Sequence, residues 1–312
     1  METLCGLLGY SKQAYYKRIG TLGQHHLEES LVIDLVKQKR KIWKKGSGRN
    51  LHAALQEDFK RHKIKLGRDK FFEFLGRNQL LIPNKRRRAR TTFSYHHFHK
   101  YANLIKGLCP ISRNQVIVSD ITYIWLEGTQ RFSYLFLITD MYSRKILGYC
   151  LSEDLKTNSA IKALKMALKN MSCIESSIHH SDRGIQYCSY NYTDLLHEHG
   201  ILISMTENGD PLENPIAERI NRTIKEEFTE EKTLSFSNFE EAKRKIAQYI
   251  KFYNEERPHR GIEMLTPAKA YLRTGALTRK WKTYYPKKFS ATALLLKNNK
   301  NKEQPFLMPK TH

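Results

Sequence analysis

The apolar residues of this chain change their spacing near residue 112, from the three-and-four step of helices to the runs and alternations of strands. That change limits the folds open to it. Residues 116–125, 132–139 and 146–151 are rich in β-branched and aromatic side chains. Glu127-Gly128 and Tyr142-Ser143-Arg144 separate them, which predicts an antiparallel meander. A helix is expected over residues 155–170, with Ile161, Leu164, Ala167 and Leu168 on one side. Short strands at 177–181 and 201–205 bracket a helix near 190–199. Asn214-Pro215 offers an N-cap and a first-turn proline for a helix reaching about Phe228, and another helix spans 239–253.

Three strands, helix, strand, helix, strand, helix is the order of the α/β ribonuclease-H-like fold, and a fold alone does not give a function. Before residue 112 the chain reads as helical. Leu4, Leu7 and Leu8, then Gly9-Tyr10-Ser11 and the stretch from Lys12 to Ile19, suit a helix-turn-helix fragment with Ser11 as N-cap, or any amphipathic helical hairpin. Leu27, Leu31, Leu35, Val32 and Val36 predict a helix over 27–43. A second helix covers 51–61 on Leu51, Leu55 and Phe59, and a third starts near Asp69 with Phe71, Phe72, Phe74 and Leu75. Such a basic helical region is a common DNA-binding format. The expected organisation is a helix-turn-helix-like segment (1–24), a helical DNA-binding region (25–84), a basic linker (85–112), an α/β core (113–275) and a basic tail (276–312).

Charge follows the same division. Residues 1–112 hold 24 Lys+Arg against 8 Asp+Glu, residues 113–275 hold 21 against 22, and residues 276–312 hold 9 against 1. The net charge of +23 therefore lies at the two ends, as in basic modules that grip a polyanion around a neutral body. A solubilising surface would also be basic, and charge does not separate DNA from RNA or an anionic membrane. No run approaches the roughly 18 apolar residues of a membrane span, and residues 1–10 lack the basic start of a secretory signal. Five scattered cysteines, never spaced C-x-x-C, argue against a disulfide framework and a zinc ribbon. His97-x-His99 and His197-x-His199 lack a cysteine pair to complete a zinc site. The chain reads as a soluble, cytoplasmic protein with reduced, mostly buried thiols.

Three acids stand out. Asp120 interrupts a run apolar on both faces, the mark of a central strand, where a carboxylate is costly without a cation. Asp182 follows the strand 177–181 and, taken alone, suits a turn cap. Glu218 lies nearly opposite Ile216 on a helix whose core stripe is Ile216, Ile220, Ile224 and Phe228. It shares its face with Arg222 and Lys225, so a routine Glu218–Arg222 ion pair is the plain alternative. In the ribonuclease-H order the three acids converge. Clustered acids of this kind call for divalent cations, and hard oxygen ligands suit Mg²⁺ or Mn²⁺. Two such ions would serve an in-line phosphoryl displacement on a phosphodiester.

Residues 119–124, 180–187 and 204–218 resemble the core blocks of the bacterial insertion-sequence transposases of the IS-three family, OrfB type. Lys225-Glu226-Glu227 and Tyr253-Asn254-Glu255-Glu256-Arg257-Pro258-His259, with Thr266-Pro267, resemble that family's closing blocks. Between Asp182 and Glu218 lie 35 residues, the D-x35-E spacing of the transposase and retroviral-integrase superfamily. The resemblance covers about residues 30 to 275. It implies that Asp120, Asp182 and Glu218 bind two catalytic Mg²⁺ or Mn²⁺ ions, that a DNA strand is cut to expose a 3′-hydroxyl, and that this hydroxyl is joined to another strand. It also implies element terminal repeats and target DNA as partners, a homo-oligomeric synaptic complex, and an upstream OrfA-type partner or frameshift fusion. Ile117 stands where the family usually has Trp, Glu213 where it has Asp, and Arg219 where it has Ser. Arg183, Arg222, Lys225 and the run Lys85, Arg86, Arg87 and Arg88 are the expected DNA contacts. His180 and Arg183 flank Asp182 as candidates for the scissile phosphate or for packing. A silent end-binding remnant and a ribonuclease-H-like nuclease or phage-type integrase are the competing functions.

Overall fold

The computed structural model describes residues 11–82, 98–171, 174, 176–207, 213–229 and 234–278. The chain divides into two compact units, Met1–Lys85 with Glu227–Glu230, and Arg86–Glu226 with Glu231–His312. Among the described residues no helix is long and apolar enough to cross a membrane.

The described part of the first unit is helical: α1 (Lys12–Ile42), α2 (Gly48–Ala54), α3 (Gln56–Arg61) and α4 (Arg68–Arg77). Where the sequence suggests a short helix, a break and a second helix from residue 27, one helix of 31 residues runs through, and the division at residue 24 is not a break in it. Gly20 and Gly23 each cost about 1 kcal/mol relative to Ala, too little to end a helix that no proline interrupts. Residues 4–10 of the expected helix-turn-helix lie outside the described residues. Among the described side chains of α1, Val32 and Val36 are buried, while Leu27 is 74% exposed. The helix expected over 51–61 is divided at Leu55, where α2 ends and α3 begins. Phe59, Phe71 and Phe74 fill the interior, with ring centroids 5.9 Å (Phe59–Phe71) and 6.4 Å (Phe71–Phe74) apart.

The second unit is built on a mixed sheet of β1 (Val116–Leu126), β2 (Arg131–Asp140), β3 (Ile146–Ser152), β4 (Ile178–Ser181), β5 (Leu202–Met205) and β6 (Ser235–Phe236). The order is β3-β2-β1-β4-β5, with β6 pairing the far end of β1. β1 to β3 form the antiparallel meander that the sequence predicts, and β1, β4 and β5 run parallel. The helices are α5 (Thr157–Asn170), α6 (Ile185–Cys188), α7 (Tyr190–Glu198), α8 (Pro215–Glu227), α9 (Phe239–Glu255) and α10 (Pro267–Tyr271). α5 buries Ala160, Ala163, Leu164, Ala167 and Leu168 against one sheet face, in a core with Ile117 and Tyr192. Small side chains let it sit close: a Cβ on Gly148 of β3 would lie 2.1 Å from the Ala163 carbonyl oxygen. On the opposite face Val116 and Val118 pack with Ile105 and Ala217 of α8. Three cysteines are described, and only Cys188 is buried; Cys150 is half-buried and Cys109 exposed.

Candidate active site

β1 pairs with β4 only through Val116↔Ile178, Ile117↔His179 and Val118↔His180. β4 then stops at Ser181, while β1 continues along β2 to Leu126. Carrying the parallel register on by two residues puts Asp120 level with Asp182. Alternation puts both acids on the face of Val116, Val118 and α8. In open α/β sheets ligands bind beyond the carboxyl ends of parallel strands where the connections part. β1, flanked by β2 and β4, is at such a point.

Electrostatics agree with this geometry. The Asp120 carboxyl is pushed up to about 7, first by burial and then by the charge of Asp182. Three groups oppose the rise: the Ile121 amide, which donates to Oδ1 at 2.9 Å, the Asn221 side chain, which donates to Oδ2 at 2.7 Å, and Lys225. Asp182 accepts the Gly184 amide at 3.0 Å, so it also fills the turn role its position suggested. Tyr187, buried behind Asp182, has its phenol raised well above its usual value by burial and by Tyr192, Asp182 and Asp120.

α8 brings the third acid to this edge. The Asn214 amide donates to the Ser119 carbonyl at 3.0 Å, Ala217 packs under Val116 and Val118, and Asn221 holds Asp120. Asn214 thus ties the helix to β1, where sequence reasoning expected an N-cap. Glu218 lies one residue from Ala217 and one turn before Asn221, half-buried. Among the described residues no three His, Cys, Asp or Glu side chains stand close enough together to hold one metal ion. Asp120 and Asp182 are close enough to act on each other electrostatically, and Glu218 lies on α8, which packs against β1. The donor set fits a divalent cation: two neighbouring carboxylates, one of them with its pKa raised by burial and by the other, offer hard oxygen ligands.

The cations expected to meet DNA are disposed differently. Arg222 is exposed and pairs with Glu226 at 3.2 Å, so the alternative Glu218–Arg222 pair is replaced by its neighbour one turn on. Lys225 is half-buried, its ammonium pKa lowered by burial and partly restored by Asp120. Arg183 is half-buried. Lys85, Arg86, Arg87 and Arg88 lie outside the described residues, as does His97. His180 is fully buried, its Nδ1 2.8 Å from the Ser204 hydroxyl, so it packs and does not reach a surface phosphate. Glu213, through Oε2, accepts the Glu207 amide and closes the base of the segment between β5 and α8. Sequence reasoning missed Asn221, and also Asp140, a buried carboxylate at the end of β2 that accepts from the Asn114 amide (2.8 Å), the Ser143 amide (2.7 Å) and the Ser143 hydroxyl. A polar residue one turn from a candidate acid was the available signal for Asn221; nothing in the sequence marked Asp140 as buried.

A six-stranded mixed sheet whose main path runs β3-β2-β1-β4-β5, with Asp120 on β1 just past its pairing with β4 and Asp182 just past the end of β4, defines a ribonuclease-H-like, integrase-core protein. Comparison with known proteins agrees. Two models described as integrase core domain match residues 111–211 and 199–267. An uncharacterized 31 kDa protein of the insertion element IS600 of Shigella sonnei is 31% identical over 273 residues, covering 85% of this chain and 96% of the relative. The transposase for the insertion sequence element IS629 of Shigella sonnei is 33% identical, over 50% of this chain and 51% of its own length. Among solved structures, the HTLV-2 integrase catalytic core domain in complex with magnesium aligns with 52% of this chain and 99% of its own at 12% identity and a TM-score of 0.39. The chain belongs to the integrase-core family of insertion-element DDE transposases.

Proposed function

We propose that Asp120, Asp182 and Glu218 are the catalytic acids of a DNA transposase and together hold two divalent cations, Mg²⁺ or Mn²⁺. The ions, when bound, activate the attacking oxygen and stabilise the leaving oxygen of an in-line phosphoryl displacement. The chain's own part is to hold and orient. Asn221 and the Ile121 amide fix the Asp120 carboxylate, the Gly184 amide fixes Asp182, and Glu218 completes the set from α8. The reaction cuts a DNA strand at the insertion-sequence end and joins the freed 3′-hydroxyl to target DNA. The observation that carries this reading is the register that sets Asp120 level with Asp182 just past the end of β4, with the Asp120 pKa raised first by burial and then by Asp182.

In this reading Arg183, Arg222 and Lys225 contact the DNA backbone beside the acids, and residues 1–112 and 276–312, including Lys85, Arg86, Arg87 and Arg88, hold the terminal repeats by their charge. Two copies or more act in a synaptic complex, with an OrfA-type partner or fusion supplying further end recognition, in the bacterial cytoplasm where the DNA is. The test is nicking of terminal-repeat DNA in Mn²⁺ by the purified protein, with its upstream partner where required, against Glu218→Gln. Loss of nicking in the variant is expected, and equal nicking would overturn the assignment. Joining of a pre-nicked end to target DNA separates a transposase from a simple nuclease, and end binding without either reaction would mark a silent remnant.

A further inference from the structure

The segments carrying the three acids meet at one residue that bears no charge. Ser119, fully buried, immediately precedes Asp120. Its hydroxyl lies 2.7 Å from Nε2 of His179, on β4 three residues before Asp182. Its carbonyl accepts the Asn214 amide at 3.0 Å, four residues before Glu218. The Tyr192 hydroxyl of α7 joins the same cluster: it lies 2.9 Å from the same Nε2 and also bonds the Ser119 side chain, and the Tyr192 and His179 rings stand 5.4 Å apart, edge to face. Ser119 and His179 lie on the sheet face opposite the acids, packed over by the α5 and α7 core, so neither side chain reaches the carboxylates.

We propose that Ser119 and His179 are positioning residues that set the spacing of the metal-binding carboxylates. β4 ends one residue before Asp182, and among the described residues β1 has no strand partner on that side from Ser119 to Ile124. Backbone pairing therefore stops just short of the acids. The Ser119–His179 bond continues the lateral tie where the ladder gives out, and the Ser119 carbonyl ties the Glu218 helix to the same point. Two ions need their ligands at a fixed separation of a few ångströms, so a strand end free to splay costs affinity without removing a ligand.

The inference rests on the metal-binding reading above, and the experiment separates the two. Mn²⁺ binding to the full-length protein is measured by electron paramagnetic resonance of the free ion, with thermal unfolding in parallel, for wild type, Asp182→Asn, His179→Leu, His179→Gln, Ser119→Ala and Tyr192→Phe. Wild-type binding that Asp182→Asn abolishes sustains the metal site; no wild-type binding overturns that reading and this inference with it. Given wild-type binding, folded His179→Leu and Ser119→Ala should bind Mn²⁺ about tenfold or more weakly, as lost outer partners of metal ligands do. His179→Gln, which keeps a polar group toward Ser119, should recover most of the loss. Tyr192→Phe, which removes a hydroxyl bonded to both His179 and the Ser119 side chain, should also weaken binding. Wild-type affinity in folded His179→Leu or Ser119→Ala would overturn the proposal. If His179→Leu does not fold, Ser119→Ala alone decides by the same criterion.

Discussion

Replacing Asp120 by Asn should make the metal-free protein more stable, and increasingly so as the pH rises. The carboxyl is pushed from 3.8 to about 7 by burial and by Asp182. The native state therefore keeps this proton up to about pH 7, while the unfolded chain releases it near its ordinary value, about pH 4. Between those limits the unfolded state holds fewer protons, so wild-type stability falls as pH rises and levels off above about pH 7. A shift of about 3 units at 1.36 kcal/mol each sets the size of the fall at about 4 kcal/mol, and solvent reaching the site edge lowers it toward about 2 kcal/mol. The amide removes the charge while keeping an oxygen for the Ile121 amide. Urea unfolding in EDTA, followed by circular dichroism at steps from about pH 5 to about pH 8.5, should show the two proteins diverging in favour of Asp120→Asn. Mg²⁺ added at the upper end should restore the wild type and leave the variant unmoved, because a ligand that binds only the native state stabilises it. Curves that stay parallel across the range would refute the argument that two acids face each other without a cation.

Other expectations follow from single contacts. Asn221→Ala removes a hydrogen bond that lowers the Asp120 pKa, so half-maximal Mn²⁺ binding should move to higher pH; an unchanged midpoint would mean that Asn221 does not act on Asp120. Gly148→Val drives a side chain into the Ala163 carbonyl, 2.1 Å from the Cβ position, and should destabilise by more than about 3 kcal/mol or leave the protein insoluble, as read by urea unfolding and soluble yield. DNA binding should weaken steeply between about 50 and about 200 mM salt, because the basic ends release counterions from the phosphates; affinity that barely moves would contradict that role.

The core was legible because its elements are amphipathic and bounded by strong punctuation. The turn Tyr142-Ser143-Arg144 and Pro215 at the first position of α8 fall where expected, and β1 to β5 each lie within a residue or two of their sequence reading, while the two-residue β6 was not foreseen. Asp120 was legible because a carboxylate inside an apolar run breaks a pattern. Asn221 was not, because an Asn on a helix breaks none, and its meaning comes only from the register that brings α8 against β1. Ser119 and His179 were hidden for the same reason: diagonal to each other on neighbouring parallel strands, they are 60 residues apart in the chain. The first unit was read less well, because helix breaks there had to be inferred from glycine alone, which is weaker punctuation than proline.

The division of charge now has a physical order behind it. At the sheet edge two carboxylates stand level, and the cation nearest Asp120 on α8, Lys225, is itself half-buried and held below its usual pKa by burial. Such an edge repels a phosphodiester until added cations reverse the local sign, and those ions would be the largest charges in the site. The ends of the chain carry no such condition: 33 lysines and arginines there stand against 9 acids. On the proposed reading, holding DNA and acting on it are separable in this protein, the first set by a basic surface that needs no metal, the second by a carboxylate pair whose spacing is set by uncharged residues behind it.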